Sequence, residues 1–155
     1  PAVMQAIHSC VSDISTYCSE HAGQYEDRNT DPAQASPLEL KWLGMVDILL
    51  GHGYAWELDW RCELEDFEFA LQEILKKNED AGCLLKALGD ETLSEDDNIT
   101  VWCTRFSKAC PLSAVGCIDI DSDSYVIFPT QKTVLDRFWQ AAAQIGQKVA
   151  PVENS

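Results

Sequence analysis

The sequence has few basic residues. Only 11 of its 155 residues are Lys or Arg, against 26 Asp or Glu, which gives a net charge of −15 at pH 7. Binding DNA, RNA or an anionic membrane requires basic side chains that displace counterions, so this balance argues against nucleic acid and membrane partners. The same negative field attracts cations and basic proteins, and a basic protein is therefore the expected partner.

Several signatures of other protein classes are also missing. No stretch approaches 18 uninterrupted apolar residues, so no transmembrane helix is expected. No basic residue precedes Arg28, so the first residues do not have the pattern of a signal peptide. The 8 glycines are scattered and form no phosphate-binding loop, and no Gly-x-Ser-x-Gly elbow occurs. We therefore predict neither an enzyme nor a bound cofactor.

The seven cysteines contain no Cys-x-x-Cys pair, which argues against a zinc ribbon or a thioredoxin-type redox site. Their odd number and their spread through apolar segments are typical of reduced, buried thiols. We therefore predict a cytoplasmic protein with structural cysteines. The residues are Cys10, Cys18, Cys62, Cys83, Cys103, Cys110 and Cys117.

Length and periodicity predict one α+β domain over residues 1–150 with a flexible tail at 151–155. We expect a small mixed sheet of about four strands packed by about four helices. Polar composition predicts loops at 24–36 and 90–98. The apolar spacing predicts helices at 2–22, from Ser36 to Gly51 or Gly53, at 63–78, 81–88 and 131–148, and strands at 54–60, 99–106, 115–120 and 125–129.

Local motifs sharpen parts of this prediction. Ser36, followed by Pro37 and Glu39, is a helix-start signature. The polar run 121–124 predicts a hairpin turn, because short polar side chains hydrogen-bond the backbone of a turn. Three tryptophans are predicted to point inward: Trp56 and Trp60, from the apolar face of strand 54–60, and Trp139, from the apolar stripe of the last helix.

Acidic residues are concentrated around the predicted strand 54–60 and the helix that follows it. Between Glu57 and Glu68 there are six acids and one base, Arg61. Phe69 lies off the inward stripe of its helix, so it is a candidate contact residue. Repulsion among these carboxylates destabilises the fold unless a partner neutralises it, although a solvated acidic face that only maintains solubility is the alternative. The predicted partner-binding residues are Glu57, Asp59, Glu65, Asp66 and Phe69, with Asp121, Asp123 and Tyr125 as a second patch.

The run Asp119, Asp121 and Asp123 has the spacing with which a calcium loop begins. A calcium loop also needs glycine at its sixth position and glutamate at its twelfth, where this chain has Ser124 and Thr130. We therefore predict no metal site. A small metal-assisted hydrolase that uses these three aspartates remains the alternative function.

Two segments together resemble an uncharacterised bacterial domain family. One is Leu58-Asp59-Trp60 followed by Glu65-Asp66, and the other is Ile118-Asp119-Ile120-Asp121 followed by Asp123-Ser124-Tyr125. The resemblance covers residues 38–148, and it implies no activity because the family has none assigned.

In size and charge the chain also resembles bacterial immunity proteins, which bind and block a toxin. This likeness implies a cytoplasmic protein that neutralises a cognate toxin without catalysing a reaction. A nuclease toxin must be basic to hold its phosphate substrate, so an acidic protein can cover its active site and be steered towards it. An adaptor or chaperone for a secreted effector is a further alternative. The oligomeric state is left open.

Overall fold

The computed structural model of the protein describes residues 2–77, 82–90 and 93–151. It confirms an α+β fold, with eight helices and four strands among these residues. The sheet has the order β1-β3-β2-β4 and all three pairings are antiparallel, so the expectation of a mixed sheet is wrong. The elements are α1 (Ala2–Ser12), α2 (Ile14–Glu20), α3 (Ala22–Asp27), α4 (Pro37–Gly51), β1 (Trp56–Asp59), α5 (Leu64–Leu75), α6 (Gly82–Asp90), α7 (Ile99–Ala109), β2 (Ser113–Ile118), β3 (Ser124–Gln131), α8 (Lys132–Gln144) and β4 (Val149–Pro151).

The chain forms two compact units, Pro1–His52 and Gly53–Ser155. The single domain over residues 1–150 stays a prediction. Of the predicted flexible tail, Pro151 belongs to β4, and residues 152–155 lie outside the described residues. No helix in the described parts of the chain has the length and apolar character needed to cross a membrane.

The first unit is entirely helical. The predicted helix 2–22 is divided because the Asp13 carboxylate accepts a hydrogen bond from the Thr16 N–H (3.1 Å) and so starts a new helix, α2. The helix α3 then continues to Asp27, into the predicted loop. The helix-start signature is confirmed, since the Ser36 Oγ accepts a hydrogen bond from the Glu39 N–H at 3.2 Å.

A glycine allows the helices of the first unit to approach closely. A Cβ atom on Gly44 would lie 2.7 Å from the Cys10 Sγ and 3.0 Å from the Tyr25 hydroxyl oxygen. Tyr25 is fully buried, and its hydroxyl donates a hydrogen bond to the Leu40 carbonyl oxygen at 3.0 Å. The missing side chain at Gly44 therefore provides space for this buried cluster.

In the second unit, α5, α6 and α7 contribute side chains to an apolar core on one side of the sheet. Phe67 lies at its centre, with ring centroids 5.2 Å from Trp102 and 6.0 Å from Phe106. The predicted strand 99–106 is wrong, because this segment is part of α7. Its buried residues Ile99, Trp102, Cys103 and Phe106 recur at steps of three and four, which is the spacing of a helix.

The helix α8 packs on the other side of the sheet. A Cβ atom on Gly116 of β2 would lie 2.7 Å from both Leu135 and Phe128 side-chain atoms, and the Phe128 and Phe138 rings are 5.7 Å apart. The helix ends at Gln144, before the predicted residue 148, because Gly146 adopts a positive φ of 73° and turns the chain into β4.

The other predicted elements lie within three residues of their observed bounds. Residues 78 and 81 of the predicted helices, and 91 and 92 of the predicted loop, lie outside the described residues. The hairpin turn between β2 and β3 is confirmed. None of the seven cysteines, all of which lie in the described residues, forms a disulfide bond: five are buried, Cys62 is half-buried and Cys83 is exposed.

Candidate functional site

The pairing of β1 with β3 brings the two predicted acidic patches together. Asp59 of the first patch is the register partner of Ser124, which follows Asp123 directly. Leu58 is the partner of Tyr125, another residue of the second patch. Opposed residues in an antiparallel pair are only about 5 Å apart, so Asp59 lies beside the hairpin that carries Asp121 and Asp123.

Most of the predicted binding residues are accessible. Asp59, Glu65, Asp66, Asp121 and Asp123 are exposed, and they are called the acidic surface below. Phe69 is 55% exposed and makes an edge contact with Trp56 (5.8 Å between ring centroids). Tyr125 and Glu57 are half-buried, and Glu57 lies opposite the buried Val126. Of the predicted acids, Glu57 is therefore the least available to a partner.

Two carboxylates of the acidic surface affect the pKa of the half-buried Cys62 thiol. Burial, and after it the negative charges of Asp66 and Asp59, raise the pKa of this thiol to about 11. Asp66 in the first turn of α5 and Asp59 at the end of β1 therefore act in the same direction on the pKa of one thiol.

We expect Asp66→Asn to lower the pKa of Cys62, because it removes the larger of the two carboxylate contributions. More thiolate then forms at pH 8.5, and alkylation of Cys62 by iodoacetamide should accelerate by about twofold or more. The rate is measured by mass spectrometry of the Cys62 peptide over a pH series. Glu65→Gln is the matched control, because Glu65 is not among the causes of the shift. Equal acceleration in both variants would contradict the assignment.

The carboxylate of Asp119 serves the hairpin turn. One oxygen accepts a hydrogen bond from the Asp121 N–H at 2.8 Å, and the other is paired with the Lys148 ammonium at 3.2 Å. Asp121 has a positive φ of 56°, which Asp tolerates better than most residues. In the described residues no group of three His, Cys, Asp or Glu side chains is arranged to hold a metal ion. The geometry of Asp119 thus favours a role in the turn.

A groove of about 930 Å³ opens beside this hairpin, within the second unit. Its lining includes the buried Ile118 and Val149 as well as Asp123 and Tyr125. Two tryptophans line it, Trp60 at 52% and Trp139 at 47% exposure. The full lining is Trp60, Cys117, Ile118, Asp119, Ser122, Asp123, Ser124, Tyr125, Trp139, Ala143, Gln147, Lys148, Val149 and Ala150.

Sequence reasoning missed both tryptophans because it assigned them to the interior. Trp60 is exposed because β1 ends at Asp59, one residue earlier than predicted. For Trp139 a signal was present in the sequence. At about 100° per residue the apolar stripe of α8 spans an arc of about 140°, with Val134 and Trp139 at its two edges. The middle of the arc, Leu135 and Ala142, is buried and both edges are exposed.

Trp60 already has a guanidinium beside it. The Arg61 guanidinium carbon lies 4.9 Å from the centroid of the Trp60 ring, within the range of a cation–π interaction. The Arg61 Nε atom is 3.8 Å from the Asp59 Oδ1 atom, and both side chains are mostly exposed. The space between the acidic surface and the Trp60 indole can therefore accommodate a positively charged group.

The fold and the site together define a small α+β protein with an acidic surface next to a groove lined by tryptophan. The chain belongs to the family described as the domain of unknown function DUF6630, whose model matches residues 1–152. This match extends beyond the resemblance over 38–148 and includes the N-terminal helices. Neither a curated protein nor a solved structure matches the chain.

Proposed function

We propose that this protein is a cytoplasmic immunity protein of bacteria, which neutralises a cognate toxin by binding it rather than by catalysing a reaction. The toxin is a basic protein such as a nuclease. The observation that carries the proposal is the register of β1 with β3, which joins Asp59 to the hairpin aspartates in one acidic surface. The net charge of −15 makes such a surface attractive to a basic partner over a long range.

Exposed aromatic side chains adjoin this acidic surface. Phe69 and Trp60 are both more than half exposed. Interfaces derive most of their binding energy from a few residues, often aromatic ones, while surrounding charges set the rate of association. An acidic surface with aromatic anchors is therefore suited to fast and tight binding of a basic protein.

A growth assay tests the proposal. Each reading frame adjacent to the gene is expressed alone and together with this chain. We expect one product to be toxic alone and harmless when co-expressed. Absence of a toxic neighbour, or toxicity that this chain does not relieve, would contradict the proposal. A neighbour that binds but keeps its activity would identify an adaptor instead.

The kinetics of association with that toxin test the surface itself. The triple variant Asp59→Asn, Glu65→Gln, Asp66→Asn should associate about tenfold more slowly at low salt and show a flatter dependence on salt. The matched control carries the same change of charge in the first unit, as Glu20→Gln, Glu26→Gln, Asp27→Asn at exposed positions. The association rate of the control should fall much less. Equal losses would show that only the net charge matters and would place the interface elsewhere.

A further inference from the structure

The groove is lined by two exposed indoles and by buried apolar residues that include Ile118 and Val149. Trp60 follows β1 directly and Trp139 lies at the edge of α8, yet both line the same cavity. Tryptophan is among the residues most enriched at the energetic centres of interfaces, and a concave apolar site with a few polar groups is the usual form of a binding site. The groove therefore has the composition of a docking site.

The charges along the groove indicate what it binds. The Asp119 carboxylate is neutralised by Lys148. Asp123 is exposed and, among the described residues, has no ion-pair partner, so it leaves the groove with a negative charge. A second copy of the chain would bring a further charge of −15 and be repelled. Charge complementarity thus points to a cationic occupant.

The side chains of arginine and lysine suit both the exposed indoles and the negative charge of the groove. Their cationic ends interact favourably with tryptophan faces, and their aliphatic stems cover apolar surface. Arg61 shows this chemistry within the chain, since its guanidinium lies against Trp60 next to Asp59.

We propose that the groove binds an arginine- or lysine-bearing segment of the partner protein. The basic side chain lies between Trp60 and Trp139 and pairs with Asp123. This inference rests on the proposed function, and it specifies the chemistry by which the toxin is recognised: an exposed basic segment inserts into the groove while the acidic surface guides the approach.

The probe is a blocked hexapeptide, acetyl-Gly-Arg-Leu-Arg-Leu-Gly-amide, and its counterpart has both arginines replaced by glutamate. The chain contains 5 tryptophans, which give five indole N–H signals in a nitrogen-15 correlation spectrum. Titration with the arginine peptide should shift the signals of Trp60 and Trp139, assigned through Trp60→Phe and Trp139→Phe, and leave the other three in place. The glutamate peptide should shift none.

Variants then test the indole and the carboxylate of the site separately. Trp139→Ala and Asp123→Asn should each weaken binding of the arginine peptide by about threefold, which lies within the range expected for an exposed cation–π contact or an exposed ion pair. Val134→Ala is the matched control, because it lies at the opposite edge of the same helix and is 45% exposed. Asp123 lies in an exposed turn, so Asp123→Asn remains informative if Trp139→Ala does not fold.

The proposal would be overturned by unmoved Trp60 and Trp139 signals at saturating or millimolar peptide, by wild-type affinity in both groove variants, or by equal binding of the two peptides. A shift of these signals with protein concentration alone would show that a second copy is the occupant and would also overturn the proposal.

Failure of the groove proposal is distinguishable from failure of the immunity function. If the wild type protects cells from the toxin but one of these outcomes is found, only the groove proposal fails. If the wild type gives no protection, the immunity function fails.

Discussion

Replacement of Asp47 by alanine is expected to lower the free energy of unfolding by about 3–5 kcal/mol, because it removes one partner of a buried ion pair. The Arg28 Nη2 and Nε atoms lie 2.6 and 3.0 Å from the Asp47 Oδ1 atom. The two side chains are only 15% and 10% exposed. Without the carboxylate, the guanidinium stays largely desolvated and has lost this ion pair. Urea denaturation followed by circular dichroism measures the change.

Two further variants show whether burial causes this effect. Glu73→Ala breaks the ion pair at the C-terminal end of α5 between Glu73 and Lys76, whose side chains are 35% and 56% exposed. Solvent screens that pair, so its loss should cost less than about 1 kcal/mol. Removing both buried charges, as Arg28→Met with Asp47→Leu, should restore most of the lost stability. Equal costs for Asp47→Ala and Glu73→Ala would contradict the argument.

Phe67→Ala should have a comparable effect in the second unit, where we expect a loss of about 3–5 kcal/mol of unfolding free energy. The Phe67 ring is fully buried against Trp102 and Phe106, so its removal leaves a cavity in a core that relaxes only partly. Because Phe67 follows Asp66 directly, the cavity would also loosen the turn of α5 that supports the acidic surface. Urea denaturation followed by tryptophan fluorescence measures the effect.

Phe69→Ala is the matched control for this prediction. It makes the same chemical change two residues away on the same helix, at a side chain that is 55% exposed. Its contact with Trp56 is an edge contact at the surface, so the loss should be below about 1 kcal/mol. A cost for Phe67→Ala close to that of Phe69→Ala would show that Phe67 is not central to the core.

Features set by neighbouring residues were predictable from the sequence. The start of α4 follows from a serine hydroxyl that reaches an N–H group three residues on. The β2–β3 hairpin follows from the polar residues between two apolar strands, among them Ser122, whose hydroxyl accepts a hydrogen bond from the Ser124 N–H at 3.1 Å. The periodicity of α5 also places Phe69 outside the inward apolar stripe of the helix. The exposed side chain of Phe69 in the structure agrees with this placement.

The segment 99–106 shows how two local signals compete. Its run Ile99-Thr100-Val101-Trp102 is rich in β-branched and aromatic residues and favours a strand. The apolar spacing over the whole segment instead favours a helix, and the Asn98 side chain accepts a hydrogen bond from the Val101 N–H at 3.1 Å to start it. Burial of that apolar stripe against Phe67 outweighs the modest preference of single residues.

The sequence by itself determined the excess of negative charge, the α+β class and the positions of most helices and strands, because these depend on composition and on contacts between near neighbours. Only the tertiary structure decided which distant residues meet. The register of β1 with β3 joins the acidic patches, the exposed edge of α8 brings Trp139 to the groove that Trp60 lines, and α3 and α4 bury Arg28 with Asp47. These long-range contacts depend on the tertiary packing of the chain, since no local hydrogen bond or periodicity specifies a partner many residues away.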